Sequence, residues 1–211
     1  MIKIILSSVI LLGVNLQPIK MYAQILISRQ KKVYNNETIF IKSQLDFEQQ
    51  QLEITNCKLV FEKEGLLRNA VLIGKNNIII SEKERIIENV KFSEGFLVHP
   101  YLSSWWLSKD SLMIKSYNNR KIQEIFSSIP NYSELKFDTN RDILCDPLFQ
   151  LNDRNNIKID FNDLHFYTDV SHGPGSEFLQ IFRSRNMHIN RLNITGDTQF
   201  HMVGDKGEWG M

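Results

Sequence analysis

The sequence predicts an all-β fold: a solenoid of short strands interrupted once by a short α-helix. Three observations carry this. First, RNNIKIDFNDLHF (154–166) returns thirty residues later as SRNMHINRLNITG (184–196), with Asn186 in the place of Asn156. Repetition at such a period marks stacked coils whose residues resemble one another because they occupy equivalent places. Second, most of the chain reads as short apolar runs closed by Gly, Asn, Ser or Lys, as strands with turns between them do. Third, one window keeps a helical spacing. Ile122, Ile125, Phe126 and Ile129 share a helix face over 119–128, and Pro130 stops it.

In chain order, MIK followed by the apolar run IILSSVILLGV (4–14) and the small Ala23 reads as a secretion signal over 1–23. The run is too short for a bilayer span; a buried first strand is the alternative. Residues 24–211 then form one domain. A strand block over 40–100 holds ETIFIKSQLDF, LEITNCKLVFEKEG, LLRNAVLIGKNNIIIS and RIIENVKFSEGFLV. These runs lack the Asn-Gly or Asp-Gly turns of hairpins, and GKNN is the nearest approach to one. A bridge and helix occupy 101–130. Further rungs over 131–211 hold SELKFDT, DILCDPLFQL, NIKIDFNDLHFYT, EFLQIFRS and MHINRLNITG, with the Gly/Pro loop DVSHGPGSE (169–177) between the two copies. Asn56, Asn69, Asn89, Asn156 and Asn186 are the expected corners, because Asn tolerates left-handed backbone and can bond to its neighbour in the next coil.

Composition sets limits. The chain has 211 residues, 42% hydrophobic and 23% charged, enough for one sizeable core. A net charge of +1 leaves no electrostatic footprint for nucleic acid. Cys57 and Cys145 are the only cysteines and read as small buried apolar residues. A disulfide is conceivable after export. With no CxxC or HxxxH spacing, no metal is expected. GxGxxG, GxxxxGK[ST] and GxSxG are all absent, so no nucleotide cofactor or nucleophile elbow is expected.

The order of pieces resembles the right-handed parallel β-helix proteins of the pectin-lyase-like superfamily, found among secreted bacterial polysaccharide-processing proteins. The pieces are the strand run from LEITNC to NNIIIS, the bridge LSSWW, the helix NRKIQEIF, the segment PNYSELKF, and the rungs NNIKIDFNDLHF and NMHINRLNIT. The resemblance implies a secreted or envelope-facing protein acting on polysaccharide, as a lyase or a glycoside hydrolase. Two departures qualify it. SKDSLMIKSYNN stands where relatives carry an Asp-rich stretch, and the chain stops at GEWGM, where look-alikes continue into further rungs. The expectation is an incomplete β-helix that is catalytically inert.

The densest titratable set lies at the C-terminal end: Asp197, His201, Asp205, Lys206 and Glu208 beside Trp209. A glycosidase needs two carboxylates about 5 to 9.5 Å apart, and a lyase needs a base near an acidic proton. Asp205 and Glu208 are the candidate carboxylates, His201 the candidate base and Trp209 a stacking surface. A Gly-rich surface loop with solvated charges explains the same letters. Trp105 and Trp106 are candidates for a sugar platform, or for packing between strand blocks. His172 in its Gly-flanked loop is a further substrate-binding candidate, and a flexible inter-rung loop is its alternative. His165 and His188 read as outward-facing rung residues. Besides the enzyme, two functions fit: a non-catalytic carbohydrate-binding or adhesive β-helix, and a phage tail-spike relative, which the secretion signal opposes.

Overall fold

The computed structural model describes residues 25–139, 141–146, 149–168, 179–196, 201–204 and 207–210, the last two ranges through their backbone pairing. In the first half, eight strands run as β1 (Ile25–Leu26), β2 (Val33–Asn35), β3 (Thr38–Ile41), β4 (Gln44–Thr55), β5 (Lys58–Phe61), β6 (Leu66–Ile73), β7 (Ile78–Ser81) and β8 (Ile87–Phe92). They alternate between two parallel sheets, ordered β1-β3-β5-β7 and β2-β4-β6-β8. Thr38 pairs with Lys58 and Lys58 with Ile78. In the other sheet Val33 pairs with Glu53 and Glu53 with Ile73. These steps advance 20 residues, a period shorter than the thirty-residue repeat of the second half, while β1 to β3 is a step of 14.

The second half begins with β9 (Tyr101–Leu102) and the helix α1 (Lys115–Ser128). There follow β10 (Glu134–Lys136), β11 (Ile143–Leu144), β12 (Phe149–Gln150), β13 (Asn155–Asp160), β14 (His165–Thr168), β15 (Leu179–Gln180), β16 (Arg185–Asn190) and β17 (Asn193–Gly196). The parallel sheets here are β9-β10-β13-β16, β11-β14-β17 and β12-β15. The two matching sequence copies are β13 and β16, side by side, with Ile157 on Met187 and Ile159 on Ile189. An antiparallel pair, β18 (His201–Gly204) and β19 (Gly207–Gly210), ends the described chain. The fold is mostly parallel β with a single helix, compatible with a β-helix-like architecture.

The core follows from the alternation along each strand. Ile39, Leu59 and Ile79 occupy one register row of the first sheet; Leu52, Leu72 and Phe92 occupy one of the second. All six are buried. Like residues at like positions interdigitate, and each buried aliphatic or aromatic side chain contributes about 1.5–3 kcal/mol. Lower down, Phe137 stacks on Phe161 at 4.8 Å between centroids, and Phe166 meets both edge-on. In the last rung Met187, Ile189, Leu192 and Ile194 are only half-buried, whereas Ile157 and Ile159 of the rung before are fully covered.

All five expected corner asparagines have positive φ, between 50° and 53°. Asn36 and Asn76 add two more to the corner of Asn56. The side chains join rung to rung: Asn76 Nδ2 donates to Asn56 Oδ1 at 3.3 Å, Asn89 to Asn69 at 2.7 Å, and Asn186 to Asn156 at 3.0 Å. Arg183 and Asp153 also have positive φ, and a two-pronged ion pair ties them together. GKNN is such a corner, carrying the chain from β6 in one sheet to β7 in the other. Gly74 is obligatory there, since φ is +120° and a Cβ would fall 1.9 Å from the Ile54 carbonyl oxygen.

Cys57 and Cys145 are buried free thiols, and burial pushes that of Cys145 up to about 12. Neither lies within a strand: Cys57 falls in the corner after β4, Cys145 just past β11. The helix starts four residues before the expected 119. The buried Asn118, not an apolar residue, anchors its first turn by donating to the carbonyls of Leu112 and Leu144.

Two predictions follow from these contacts. Asn77 is fully buried; its Oδ1 accepts from the Cys57 N–H at 2.9 Å and its Nδ2 donates to the Ile54 carbonyl at 2.7 Å. Asn77→Leu strands both groups, so urea denaturation should show a loss of about 2–4 kcal/mol, against a few tenths for Asn76→Gly at the adjacent corner. The second concerns acid. The Arg191 guanidinium hydrogen-bonds the Asp160 carboxyl and holds it below the usual carboxylate range. A depressed folded-state pKa stabilises above the ordinary value of about 4 and is lost as pH falls through the folded value. Between neutral pH and pH 3, Arg191→Ala should therefore lose less of its remaining urea stability than the parent chain does.

Candidate functional site

The second sheet bends where β6 and β8 pass Asn69 and Asn89, so that Arg68 pairs with Glu88 and Ala70 with Val90 while the asparagines form the corner. At the same level β4 carries two extra residues: four steps from Asp46 to Gln50 face two from Arg68 to Ala70. Glu48 and Gln49 take this insertion in left-handed backbone, and Phe47 is buried beneath it. The result is one register row of Asp46, Arg68 and Glu88, beside a second chain of contacts in which Asn69 Nδ2 donates to Asp46 Oδ2 at 2.9 Å and Asn89 to Asn69.

Helix α1 closes this bend from the side. Glu124 accepts the Asn89 backbone N–H on one carboxylate oxygen and Lys121 Nζ, at 2.8 Å, on the other. Lys121 is a buried cation, only 1% exposed. A cleft of about 710 Å³ lies between helix and bend, lined by Asp46, Arg68, Glu88, Arg120, Lys121 and Glu124 with neighbouring amides. Its volume is that of a small-ligand site. Arg68 pairs with Glu88 at 3.2 Å, Arg85 joins at 3.6 Å, and Lys121 pairs with Glu124. Arg120 is exposed and holds no ion pair among the described residues. The Glu48 backbone N–H and the Asn69 amide keep the Asp46 carboxyl below its ordinary range. Asp46, Asp153 and Asp160 all shift downward, toward firm ionisation, whereas a general acid needs a raised pKa. Planar amides, carboxylates and guanidinium groups from successive rungs offer hydrogen bonds in both directions, the chemistry that hydroxyl-rich ligands use.

None of the candidate site residues singled out in the sequence is among the described lining of this cleft. Trp105 and Trp106 are 3% and 0% exposed. Trp105 meets His99 and Tyr101 edge-on, and Trp106 meets Phe92. Asp138 pins the bridge before them, accepting from Ser103 Oγ and from the Ser104 N–H and hydroxyl. Both indoles are core packing between the strand blocks and leave no open face for a sugar ring. His201, Glu208 and Trp209 fall on β18 and β19, where Val203 pairs with Glu208 and Met202 with Trp209. His172, Asp197, Asp205 and Lys206 lie outside the described residues, as does the expected leader over 1–23. His165 contacts Thr195 and lies 3.4 Å from Asp142, while His188 is exposed on β16.

Among the described residues no three His, Cys, Asp or Glu side chains are grouped to hold a metal, and no helix is long and apolar enough to cross a membrane. No family model matches the chain, and no curated protein or solved structure matches it.

The helix-to-bend contact generates a stability test. Glu124→Ala leaves Lys121 buried without its counter-charge and should destabilise by about 3 kcal/mol. Lys121→Met, which removes the buried charge itself, should cost distinctly less in the same denaturant titration.

Proposed function

We propose that the chain is a right-handed parallel β-helix of the pectin-lyase-like kind, exported from the cell, that binds a polysaccharide without cleaving it. The single observation that carries this reading is the cleft beside α1, where polar groups from three successive rungs meet the helix. The solenoid part rests on the 20- and 30-residue registers and on the asparagine contacts between coils. The binding part rests on the preponderance of amides and paired charges in that cleft. A cleaving enzyme needs one carboxyl held as acid and another as base or nucleophile. Asp46, the lining carboxylate whose pKa moves, is instead pulled toward ionisation.

Titration calorimetry of the purified chain against neutral and acidic polysaccharides tests this. Saturable binding is expected, weakened about tenfold by Arg120→Ala, equivalent to about 1.4 kcal/mol, with no release of reducing or unsaturated ends. Binding that ignores Arg120→Ala removes the cleft from the reading. Saturable release of ends replaces it with the lyase or hydrolase reading.

A further inference from the structure

The outward faces of the two first-half sheets differ in kind. In the bent sheet the outward row is charged: Asp46, Arg68 and Glu88. In the β1-β3-β5-β7 sheet the corresponding row is apolar in all four rungs. Leu26 pairs with Phe40, Phe40 with Val60 and Val60 with Ile80. The flanking residues Ile39, Ile41, Leu59, Phe61 and Ile79 are buried, so alternation directs this row away from the core. Leu26 is 57% exposed and Ile80 39%. Ile78 and Val98 enlarge the patch, joined where the Val98 N–H bonds the Asn77 carbonyl. Together they present on the order of 400 Å², the size of the largest apolar patch on a typical monomer, which is often functional.

We propose that two copies of this chain pair face to face through this row. The row is complementary to its own reverse. A two-fold axis parallel to the strands, between β3 and β5, lays Phe40 over the partner's Val60 and Leu26 over the partner's Ile80. A large ring then meets a smaller side chain at the centre, and each copy presents the same surface to the other, as an isologous interface requires. At the rim Lys42 and Glu62, paired at 3.0 Å within one copy, directly follow β3 and β5, so the same axis brings Lys42 opposite the partner's Glu62. Sheets packed this way lie about 10 Å apart, within reach of those side chains. Their charge complementarity favours a second copy over an unrelated apolar partner. A standard interface needs roughly 800 Å² from each partner. The apolar centre supplies about half, and the long rim side chains of Lys42, Lys58, Glu62 and Lys83 extend it toward that area.

Sedimentation velocity of the full chain over about a hundredfold range of concentration decides the matter. The expected result is a reversible dimer. Val60→Lys and Ile80→Lys should weaken it at least tenfold with circular dichroism unchanged, since both side chains point outward. Val60→Thr with Ile80→Thr, which keeps the β-branched shape, should weaken it in the same direction if the lysine variants misfold. Lys42→Glu alone should weaken the dimer, and Lys42→Glu with Glu62→Lys should restore it. A monomer at every concentration overturns the proposal. So does a dimer that none of these substitutions weakens.

Discussion

The structure depends on one recurrent constraint: at many of its corners the chain must enter left-handed backbone and leave it again after one or two residues. For most side chains that conformation costs roughly 1–2 kcal/mol. Asparagine reduces the cost, and its amide can also reach the equivalent amide of the neighbouring rung. The contacts Asn56–Asn76, Asn69–Asn89 and Asn156–Asn186 hold corners in register. Register in turn decides which side chains face inward, because a slip of one residue would exchange the core for the surface. The apolar rows are therefore only as well aligned as the corners beside them. Where the corner is Arg183 over Asp153, a charge pair takes over the role of the amides.

Helix α1 shows how a different element is fitted beside the rungs. It packs beside β8 and β12 and satisfies the polar groups it meets there. Glu124 caps the Asn89 N–H, Asn119 exchanges hydrogen bonds with Asp146, and Gln123 does the same with Gln150. Polar contacts of this kind specify position more than they add stability, since each replaces a bond to water. The burial of Lys121 fits that view: its charge is tolerated because Glu124 is fixed by its own bond to β8.

Much of this was legible in the residues. The repeat at 156 and 186 identified two strands that do pair, and the five asparagines named as corners are corners. The 20-residue period of the first half is written in Asn36, Asn56 and Asn76 but not in the residues between them. The intervening letters vary because strand interiors accept any apolar residue of suitable size, as Ile39, Leu59 and Ile79 show. The polar cleft was illegible for a stronger reason. Its lining comes from Asp46, Arg68, Glu88 and Arg120, which only the stacking of rungs and the docking of α1 bring together. The tryptophans misled because an aromatic pair reads alike whether it faces solvent or core. Burial is decided by the neighbours Phe92, His99 and Tyr101.

The insertion in β4 bears on how such a chain can change length. Glu48 and Gln49 are two residues that β6 lacks, yet the strand on either side keeps its pairing. Because pairing resumes with Gln50 on Ala70, Leu52 and Ile54 still reach the core on the far side of the excursion. Growth at a corner, where the pairing resumes beyond it, is thus nearly silent to the rest of the molecule. A lineage built this way can enlarge one flank rung by rung, adding loops above a cleft while the interior stays the same.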